Sequence, residues 1–552
     1  MSFLKIVFLL SFILSISANA ARAATVVISP TDSLQTAINN AGAGDTILLK
    51  AGAYKGNSIV VNKPLLIAGK PYFDTRDKRK IGDVILNAGD GSAIRAFVTK
   101  NTSGKVTILG MKFIGGDHTL SSLSGNIEVG YCLFEGEEST TDLFSFELDG
   151  YGEVHHCEFR NAGDDAIDVD SNTLAAGAFI RIHDNVIEGT GDDGIEIRFH
   201  ARGNFQPLLV YDIHHNRIKG ASSGTGDGIQ LIDQDASENS RRINIFRNVI
   251  DGNNLIEVGI GSLDNAQTTE DFAGADGMTE AVYIYNNTIL NTREYGITGG
   301  DHTFVINNII MDTPRGIKHA ANEGRVDYTL TYNTPSGALS DVVDGGNNYL
   351  DQDPGLNQVT YKLNSDSFCI GKGIKTYIDS TLSATIFALA DFRCAAPSLG
   401  AIERFAASQD ILWRNRMSGN NQVWLMDGTT RLSGVYLAPF SNLNWEIQGA
   451  GDFDNDCETD ILWRNRSSGN NQVWFMDGTT RLSGVYLAPF ANLDWEIGGT
   501  GDFNQDGKTD ILWRNRTSGN NQVWLMDGTT RTSGVYLTSF PNLDWEIGGV
   551  MK

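Results

Sequence analysis

The chain has 552 residues, with 61 glycines, only 11 prolines, 41% hydrophobic residues and a formal net charge of −24. At about 150 residues per domain, this length predicts two to four domains. The glycine-rich, proline-poor composition indicates a β protein with many turns and excludes a disordered chain. The acidic charge argues against nucleic acid as the main partner, because phosphate binding needs a basic surface.

The N-terminal segment, residues 1–23, has the features of a secretory signal peptide. Lys5 gives the positive start, Ile6–Ile16 is almost entirely apolar, and Ala18-Asn19-Ala20 and Ala21-Arg22-Ala23 both fit the small-x-small cleavage pattern. The apolar stretch is shorter than the about 20 residues that a transmembrane helix needs. We therefore expect an exported protein without membrane insertion, either extracellular, associated with the cell surface or periplasmic.

Residues 24–404 contain a loose repeat with a recurring bend position. Its members are separated by 21 to 39 residues: Met111, Cys132, Cys157, Asn185, Asn216, Asn248, Asn287 and Asn308. An alternating strand such as Ile180–His183 precedes each bend, and a further short strand such as Gly194–Ile197 follows. Three short strands per turn, with aliphatic residues stacked on aliphatic residues, predict a parallel β-helix. Asn suits the bend because it tolerates a left-handed φ, and its amide can hydrogen-bond along the stack.

This section resembles the right-handed parallel β-helix, pectate-lyase-like superfamily. Thr31–Asn40 corresponds to the short helix that caps such a stack, and Asp353–Glu403 resembles the irregular closing segment. The fold hosts lyases, hydrolases, epimerases and adhesins, so the resemblance implies a fold more than an activity. Cys132 and Cys157 are interpreted as inward bend residues, and we expect Cys369 to pair with Cys394.

The resemblance implies that substrate lies along the outside of the strand that follows the second turn. With Ile inward, alternation directs one column of side chains outward: Asp168, Glu196, Gln230, Glu257, Thr298 and Lys318. Neighbouring coils are about 4.8 Å apart, so stacked carboxylates reach acid/base separations and raise one another's pKa. Asp168 and Glu196 are therefore candidate catalytic residues. Gln230, Glu257 and Lys318, with Asp227, are candidate substrate-binding residues.

Acidic residues also stand just before this strand, at Asp164-Asp165, Asp192-Asp193 and Asp227. The run Gly-Asp-Asp-Ala/Gly-Ile is similar to the Asp motifs of polygalacturonase-type glycoside hydrolases. By position, Asp165, Asp192 and Asp193 match the three acids that carry inverting hydrolysis there. The downstream Gly-His-Gly and Arg-Ile-Lys motifs of that family are missing, and Asp-Gly before a strand is also ordinary turn chemistry. A catalytic or calcium-binding role and a turn role both remain open.

A lyase needs a different set of groups. Removing the proton next to a uronate carboxylate requires charge neutralisation by calcium or Arg, and a Lys, Arg or His base. Arg198 and His200 are the candidates on the same strand, with Lys219, Arg315 and Lys318 nearby. Insertions at 199–209, 233–242 and 261–280 follow this strand in consecutive coils and are predicted to wall one groove. His155, His183 and His214 are predicted to stack on an outward face, continued by Phe246 and Tyr285, either as a metal site or as a simple ladder.

Residues 405–552 contain three repeats with a period of 50 residues, marked by Asp410, Asp460 and Asp510 in the run Asp-Ile-Leu-Trp-Arg-Asn. Four short β runs per unit predict propeller-like blades or a threefold, trefoil-like closure. The repeated Trp424, Trp474 and Trp524 are interpreted as blade core, with sugar stacking as the alternative.

Alternating oxygen side chains lie between these repeats and suit a hard cation. They are Asp452, Asp454, Asp456 and Asp460 in one loop, and Asp502, Asn504, Asp506 and Asp510 in the next. The region resembles the FG-GAP/VCBS repeat family, which implies calcium in these loops, although Cys457 stands where that family usually has Gly. A solvated turn is the alternative.

Together these features predict an all-β, secreted, carbohydrate-active protein. The leading hypothesis is depolymerisation of an acidic, uronate-containing polysaccharide by β-elimination or hydrolysis. Calcium is the expected cofactor in the C-terminal repeats, and the groove of the β-helix is a second candidate site for it. The alternative is a non-catalytic adhesion protein that binds a surface glycan.

Overall fold

The computed structural model describes residues 23–56, 59–88, 97–99, 104–116, 118–136, 142–200, 207–220, 226–233, 240–261, 281–300, 302–320, 324–364, 367–379, 384–388, 397–401, 410–427, 430–454, 459–504 and 506–550. The expected signal peptide, most of the three predicted insertions, Cys394, Asp456 and Cys457 lie outside these residues. So does the predicted domain boundary at 404/405, which remains a prediction.

Short strands make up most of the described chain. The first part contains β1 (Thr25–Ile28), α1 (Leu34–Asn40), β2 (Thr46–Leu49), β3 (Gly52–Lys55), β4 (Ile59–Val61), β5 (Leu66–Gly69), α2 (Lys70–Thr75), a 3₁₀ helix (Lys78–Asp83), β6 (Val84–Asn87), β7 (Phe97–Thr99), β8 (Val106–Leu109) and β9 (Lys112–Ile114). The next part contains β10 (Leu120–Gly130), β11 (Leu133–Glu135), β12 (Phe144–His155), β13 (Glu158–Arg160), β14 (Ile167–Ser171), β15 (Phe179–His183), β16 (Val186–Glu188), β17 (Ile195–Phe199), β18 (Leu209–His214), β19 (Arg217–Lys219), β20 (Ile229–Asp233), β21 (Arg241–Phe246), β22 (Val249–Asp251) and β23 (Val258–Gly261).

The remaining strands fall in the closing part of the stack and in the C-terminal repeats. The former has β24 (Val282–Tyr285), β25 (Thr288–Leu290), β26 (Tyr295–Thr298), β27 (Thr303–Ile306), β28 (Ile309–Met311), β29 (Arg315–Ala320), β30 (Arg325–Asp327), β31 (Leu330–Tyr332), β32 (Leu339–Val342), β33 (Tyr349–Leu350), β34 (Leu356–Asn357), β35 (Lys362–Leu363), β36 (Thr376–Asp379) and β37 (Ala384–Ala388). The repeats have β38 (Ile411–Arg414), β39 (Asn421–Asp427), β40 (Thr430–Leu437), β41 (Trp445–Gly451), β42 (Asp460–Asn465), β43 (Asn471–Asp477), β44 (Thr480–Leu487), β45 (Trp495–Gly501), β46 (Asp510–Asn515), β47 (Asn521–Asp527) and β48 (Thr530–Leu537).

The strands before residue 351 wind as a parallel β-helix, as the sequence predicted. One series of parallel strands runs β12-β14-β17-β20-β23-β26-β29-β32, and a second runs β12-β15-β18-β21-β24-β27-β30. A third parallel sheet holds the short strands from β3 to β33. Each coil thus supplies three strands, for example β15, β16 and β17, and each strand pairs with its counterpart one coil away. α1 begins after Ser33, whose Oγ accepts a hydrogen bond from Thr36 N, and it buries Leu34 and Ile38 at the end of the stack.

A ladder of buried amides fixes the position of each coil, and we call it the Asn ladder: Asn185, Asn216, Asn248, Asn287 and Asn308. Each Nδ2 donates to Oδ1 of the next member at 3.0 Å, and that oxygen also accepts the backbone N–H of the preceding member. Cys157 continues the ladder, because its N–H donates to Asn185 Oδ1. The predicted stacking is therefore confirmed. Cys132 and Cys157 are buried free thiols, as is Cys369.

The C-terminal repeats form separate antiparallel sheets. Strands β41–β44 form one sheet and β45–β48 form another, each in the four-strand pattern of a propeller-like blade, whereas β38–β40 form a sheet of three. Trp474 and Trp524 are fully buried, as are Trp463 and Trp513, which agrees with the blade-core interpretation, whereas Trp424 is only half-buried. Among the described residues, no helix is long and apolar enough to cross a membrane.

Candidate active site

The outward column forms on three consecutive coils and then breaks. Asp168 on β14 pairs in register with Glu196 on β17, which pairs with Gln230 on β20. The next position is Gly261, where a β-carbon would lie 2.0 Å from the carbonyl oxygen of Thr298. Thr298 and Lys318 resume the column beyond this gap.

The placement of Glu257 in this column was wrong. Ile260 stacks on Ile229, so Gly261 occupies the outward position and Glu257 lies four residues earlier. Its N–H donates to Gly226 O, and its carboxylate is 3.2 Å from Arg293 Nη2. Of the other candidate bases, Lys219 lies away from the column in the short-strand sheet, and Arg315, at the start of β29, pairs with Glu294 at 2.8 Å.

A second acidic column, the Asp ladder, consists of Asp165, Asp193 and Asp227. Each Oδ1 accepts the backbone N–H of the residue one coil further on, at 2.5 to 2.9 Å, the last being that of Val258. All three side chains are buried. Burial raises the pKa of all three carboxyls, and for Asp165 and Asp193 repulsion by neighbouring acids adds to the rise. These bonds give the Asp ladder a structural role at the bend, so the turn interpretation has direct support.

Asp168 and Glu196 are buried acids that favour the protonated form. The pKa of Asp168 is raised to about 9, mainly by burial and to a smaller extent by repulsion from neighbouring acids. Burial also raises the pKa of Glu196 to about 8, although Arg198 opposes the rise. Gln230 adds donors, because its amide, oriented to satisfy both partners, donates to Glu196 Oε2 and Asp193 Oδ2 at 3.0 Å each.

Arg198 lies among these acids on the same outer face. Its Nη2 is 2.5 Å from Glu196 Oε1, and its Nη1 is 3.6 Å from Asp168 Oδ1 and 3.8 Å from Asp170 Oδ1. His200 Nε2 is 3.1 Å from Asp170 Oδ1. A cation, two buried acids and an imidazole–carboxylate pair are thus brought together within two coils.

Asp170 is a site residue that the sequence interpretation missed. Burial alone would raise its pKa, but the hydrogen bond with His200 and the charge of Arg198 lower it. Asp168 and Asp170 therefore have pKa values displaced in opposite directions, although they are two residues apart on one strand face. Such a pair provides one proton donor and one ionised carboxylate at neutral pH. The signal was available, since alternation directs both residues outward.

Two acidic groups on this face could hold a cation. Carboxylate oxygens of Asp164, Asp165 and Asp192 lie within 4.8 Å of one another, as do those of Asp165, Asp193 and Glu196. Hard oxygen ligands at this spacing suit calcium. Burial raises the pKa of Asp164 and Asp192, so a divalent ion would compete with protons at this position.

The two loops of the C-terminal repeats differ in their fit to calcium. Asp452, Asp454 and Asp460 come together, with one oxygen each within 4.8 Å of the others. Asp460 also accepts Phe453 N and Met476 N, so it anchors the blade as well. These oxygens would supply hard ligands and charge to bound calcium.

The second loop is closed by its own hydrogen bonds. Asp502 accepts the N–H groups of Asp506 and Gly507, Asn504 donates to Asp506, and Asp510 accepts Phe503 N and Met526 N. Its carboxylates thus stabilise the turn directly, which is the pattern expected of a solvated Asx turn.

The predicted histidine stack is also present. His155, His183 and His214 stack at ring separations of 5.3 and 4.9 Å, and Phe246 and Tyr285 continue the stack. Burial lowers the pKa of His214 to about 3, so this imidazole is neutral in ordinary buffers. Continuity into Phe and Tyr favours the ladder interpretation. The metal alternative stays a prediction, since His183 with His156 and Asp184, and His155 with Glu128 and Glu153, each form a group of three possible ligands.

Comparison with known proteins identifies part of the chain. Residues 452–513 match the model of the FG-GAP-like repeat. A comparison with curated proteins gave no match. The matched segment contains β42–β45 and the first part of β46, so the similarity concerns the C-terminal repeats only.

Two solved structures show similarity to part of the chain. One is a PL6-family polysaccharide lyase from Pseudopedobacter saltans, at 15% identity over 61% of this chain and 95% of that chain, with a TM-score of 0.38. The other is the A-module of the mannuronan C-5 epimerase AlgE4 from Azotobacter vinelandii, at 10% identity over 56% of this chain and 91% of that chain, with a TM-score of 0.21. The fold assignment rests on the strand register given above.

Proposed function

We propose that the protein is an exported, carbohydrate-active enzyme that depolymerises an acidic, uronate-containing polysaccharide by β-elimination. One observation carries this proposal: Arg198 lies between a buried acid of raised pKa, Asp168, and the ionised Asp170 that holds His200. Export is proposed from the signal-peptide features of residues 1–23.

Substrate recognition would use the charge of Arg198. A guanidinium group can hold a uronate carboxylate with two hydrogen bonds. The protonated carboxyls of Asp168 and Glu196 would add donors without repelling the anionic sugar, and Gln230 would fix Glu196. Neutralising the carboxylate makes the adjacent C5 proton more acidic, which β-elimination requires.

The reaction would then use His200 and Asp168 as base and acid. His200 takes the C5 proton while Asp170 orients the ring and stabilises the imidazolium. The C5–H electron pair forms the C4=C5 double bond, the C4–O4 bond breaks, and Asp168 protonates the leaving oxygen. The products are a new non-reducing end with an unsaturated uronate and a chain with a free hydroxyl group.

Hydrolysis is the second candidate, and the Asp ladder argues against its polygalacturonase-like form. Asp165 and Asp193 already accept backbone hydrogen bonds that hold the coils together. An acid with this structural task is poorly placed to activate water. Calcium on the acidic face remains compatible with elimination, since it would also neutralise the uronate carboxylate.

The test is to incubate the full chain with pectin, polygalacturonate, alginate and neutral glycans, with and without chelator. Unsaturated-product absorbance and reducing ends should rise together on a uronate polymer. Asp168→Asn and His200→Asn should each lower the rate by about 10² to 10⁴-fold, whereas Asp149→Asn, an exposed change on β12, should not. Reducing ends without absorbance would establish hydrolysis instead. Glycan binding without products would establish an adhesion protein.

A further inference from the structure

The two complete blades, β41–β44 and β45–β48, begin with equivalent strands that pair in the same register. β41 pairs with β42 through Trp445↔Asn465 and Ile447↔Trp463, and β45 pairs with β46 in the same register 50 residues later. The first strand of each blade also buries its leading tryptophan, so that Trp445 and Trp495 are only 5% and 7% exposed. The blade is therefore a four-strand unit that needs this strand for its core.

The first sheet, β38–β40, lacks this strand among the described residues. β38 pairs with β39 on one side, and no described strand pairs with its other edge. The chain positions 50 residues before β41 are 395–401, and residues 399–401 of these are bound to the β-helix by hydrogen bonds to Cys369, Asn307 and Thr288. Trp413 on the open edge is 46% exposed, whereas its equivalents Trp463 and Trp513 are fully buried.

The C-terminus carries the matching piece. Residues 545–550 repeat the Trp-Glu-Ile start of β41 and β45, yet they pair with no strand, and Trp545 is 60% exposed. Ile547 and Val550 nevertheless pack on Gly498 and Gly499 of β45, so closely that a β-carbon there would meet them at 2.5 and 2.8 Å. Residues 545–550 thus lie beside β45 ready to start a fourth blade.

That position repeats a blade-to-blade contact seen inside the chain. Thr500 of β45 packs on Gly449 of β41, at 2.8 Å from a β-carbon built there, and Thr500 Oγ1 donates to Ala450 O at 2.6 Å. Val550, fifty residues after Thr500, makes the corresponding contact with Gly499. The open end therefore continues an interface that the chain already uses.

Charges at the two open ends are complementary. In each complete blade, a Glu on the first strand pairs with an Arg just after the second strand: Glu446 with Arg466, and Glu496 with Arg516. The same two repeat positions at the open ends hold Glu546 and Arg416. Each open end thus presents half of an ion pair that the repeat makes twice elsewhere.

We propose that the partner of both open ends is a second copy of this chain. Residues 545–550 of each copy add to the free edge of β38 in the other, which completes that three-strand sheet as a full blade. Closed propellers have four to eight blades, and every strand edge inside such a ring is paired or covered. Two chains supply six blades and two identical junctions, which close a twofold ring without leaving an open edge.

The test is the mass of the full chain in solution, measured by sedimentation across a range of concentrations. The wild type should have the mass of two chains. Glu546→Arg and Arg416→Glu should each place two like charges at both junctions and raise the dissociation constant at least about tenfold. The double variant with both changes restores opposite charges and should recover the dimer.

Two controls separate the junction from folding. Lys55→Glu makes the same charge change as Arg416→Glu on an exposed strand of the β-helix and should leave the mass unchanged. Removing residues 545–552 should give single chains whose β-helix and blades melt as before. A wild type that stays a single chain at all concentrations, with residues 545–550 protected from hydrogen exchange, would overturn the proposal in favour of closure within one chain. A series of ever larger species would overturn it in favour of open filaments.

Discussion

The raised pKa of Asp168 makes a quantitative prediction about the variant Asp168→Asn. Asp168 is 6% exposed, its Oδ1 has no hydrogen-bond partner among the described residues, and Arg198 Nη1 is 3.6 Å away. In the unfolded chain the pKa of Asp168 is near the ordinary value of 3.8, whereas in the folded protein its pKa is about 9. The unfolded state therefore binds fewer protons between these values, and the free energy of unfolding falls as pH rises through this window.

Asn resembles the protonated acid in shape and does not ionise, so the variant avoids this loss. Each pH unit inside the window corresponds to about 1.4 kcal/mol. Between pH 5 and pH 8 the free energy of unfolding of Asp168→Asn should gain up to about 4 kcal/mol relative to the wild type. Urea unfolding at pH 5, 6, 7 and 8 measures this, with the exposed Asp149→Asn as control. An equal difference at pH 5 and pH 8 would show that Asp168 is ionised in the folded protein, and its proposed role as proton donor would fail.

Three further predictions concern the ladder, the column and the repeats. Asn216→Ala removes four hydrogen bonds from a buried site and should lower the free energy of unfolding by about 3 to 5 kcal/mol in urea titrations; a loss below about 1 kcal/mol would contradict the ladder's role. Gln230→Leu should reduce turnover at least about tenfold, whereas Glu257→Gln, outside the column, should stay within about twofold; equal effects would contradict the register. Calcium should raise the melting temperature of the wild type. The rise should be smaller for Asp454→Ala than for the control Asp494→Ala, and an identical rise in both variants would place the ion elsewhere.

The stacking of the β-helix could be predicted because the bend residues repeat and aliphatic residues alternate on both sides. The register at Glu257 could not be predicted in this way. Ile256, Val258 and Ile260 all lie in the same alternating phase, so period two alone allows several pairings with Ile229. Hydrogen bonding between coils selects Ile260, and that choice moves Glu257 out of the column.

The roles of the acids depended on the same kind of information. Asp165, Asp193 and Asp227 were visible as residues before a strand, but only the bend geometry directs their oxygens to the N–H of the next coil. Asp170 was overlooked because its partner His200 is 30 residues away and becomes a neighbour only once the coils are stacked. Local sequence patterns were enough to predict the strands, whereas the hydrogen-bond partners of the acids depend on contacts between coils.

The Asn ladder has a consequence for how the loops of the β-helix can change during evolution. Its members are separated by 31, 32, 39 and 21 residues, yet every amide-to-amide distance is 3.0 Å. The number of residues between successive members of the Asn ladder therefore does not affect the distance between their amides. Evolution, or an engineer who grafts peptides, can therefore lengthen or exchange these segments while the acidic face keeps its dimensions, so the surface around that face can change without a change in the coils.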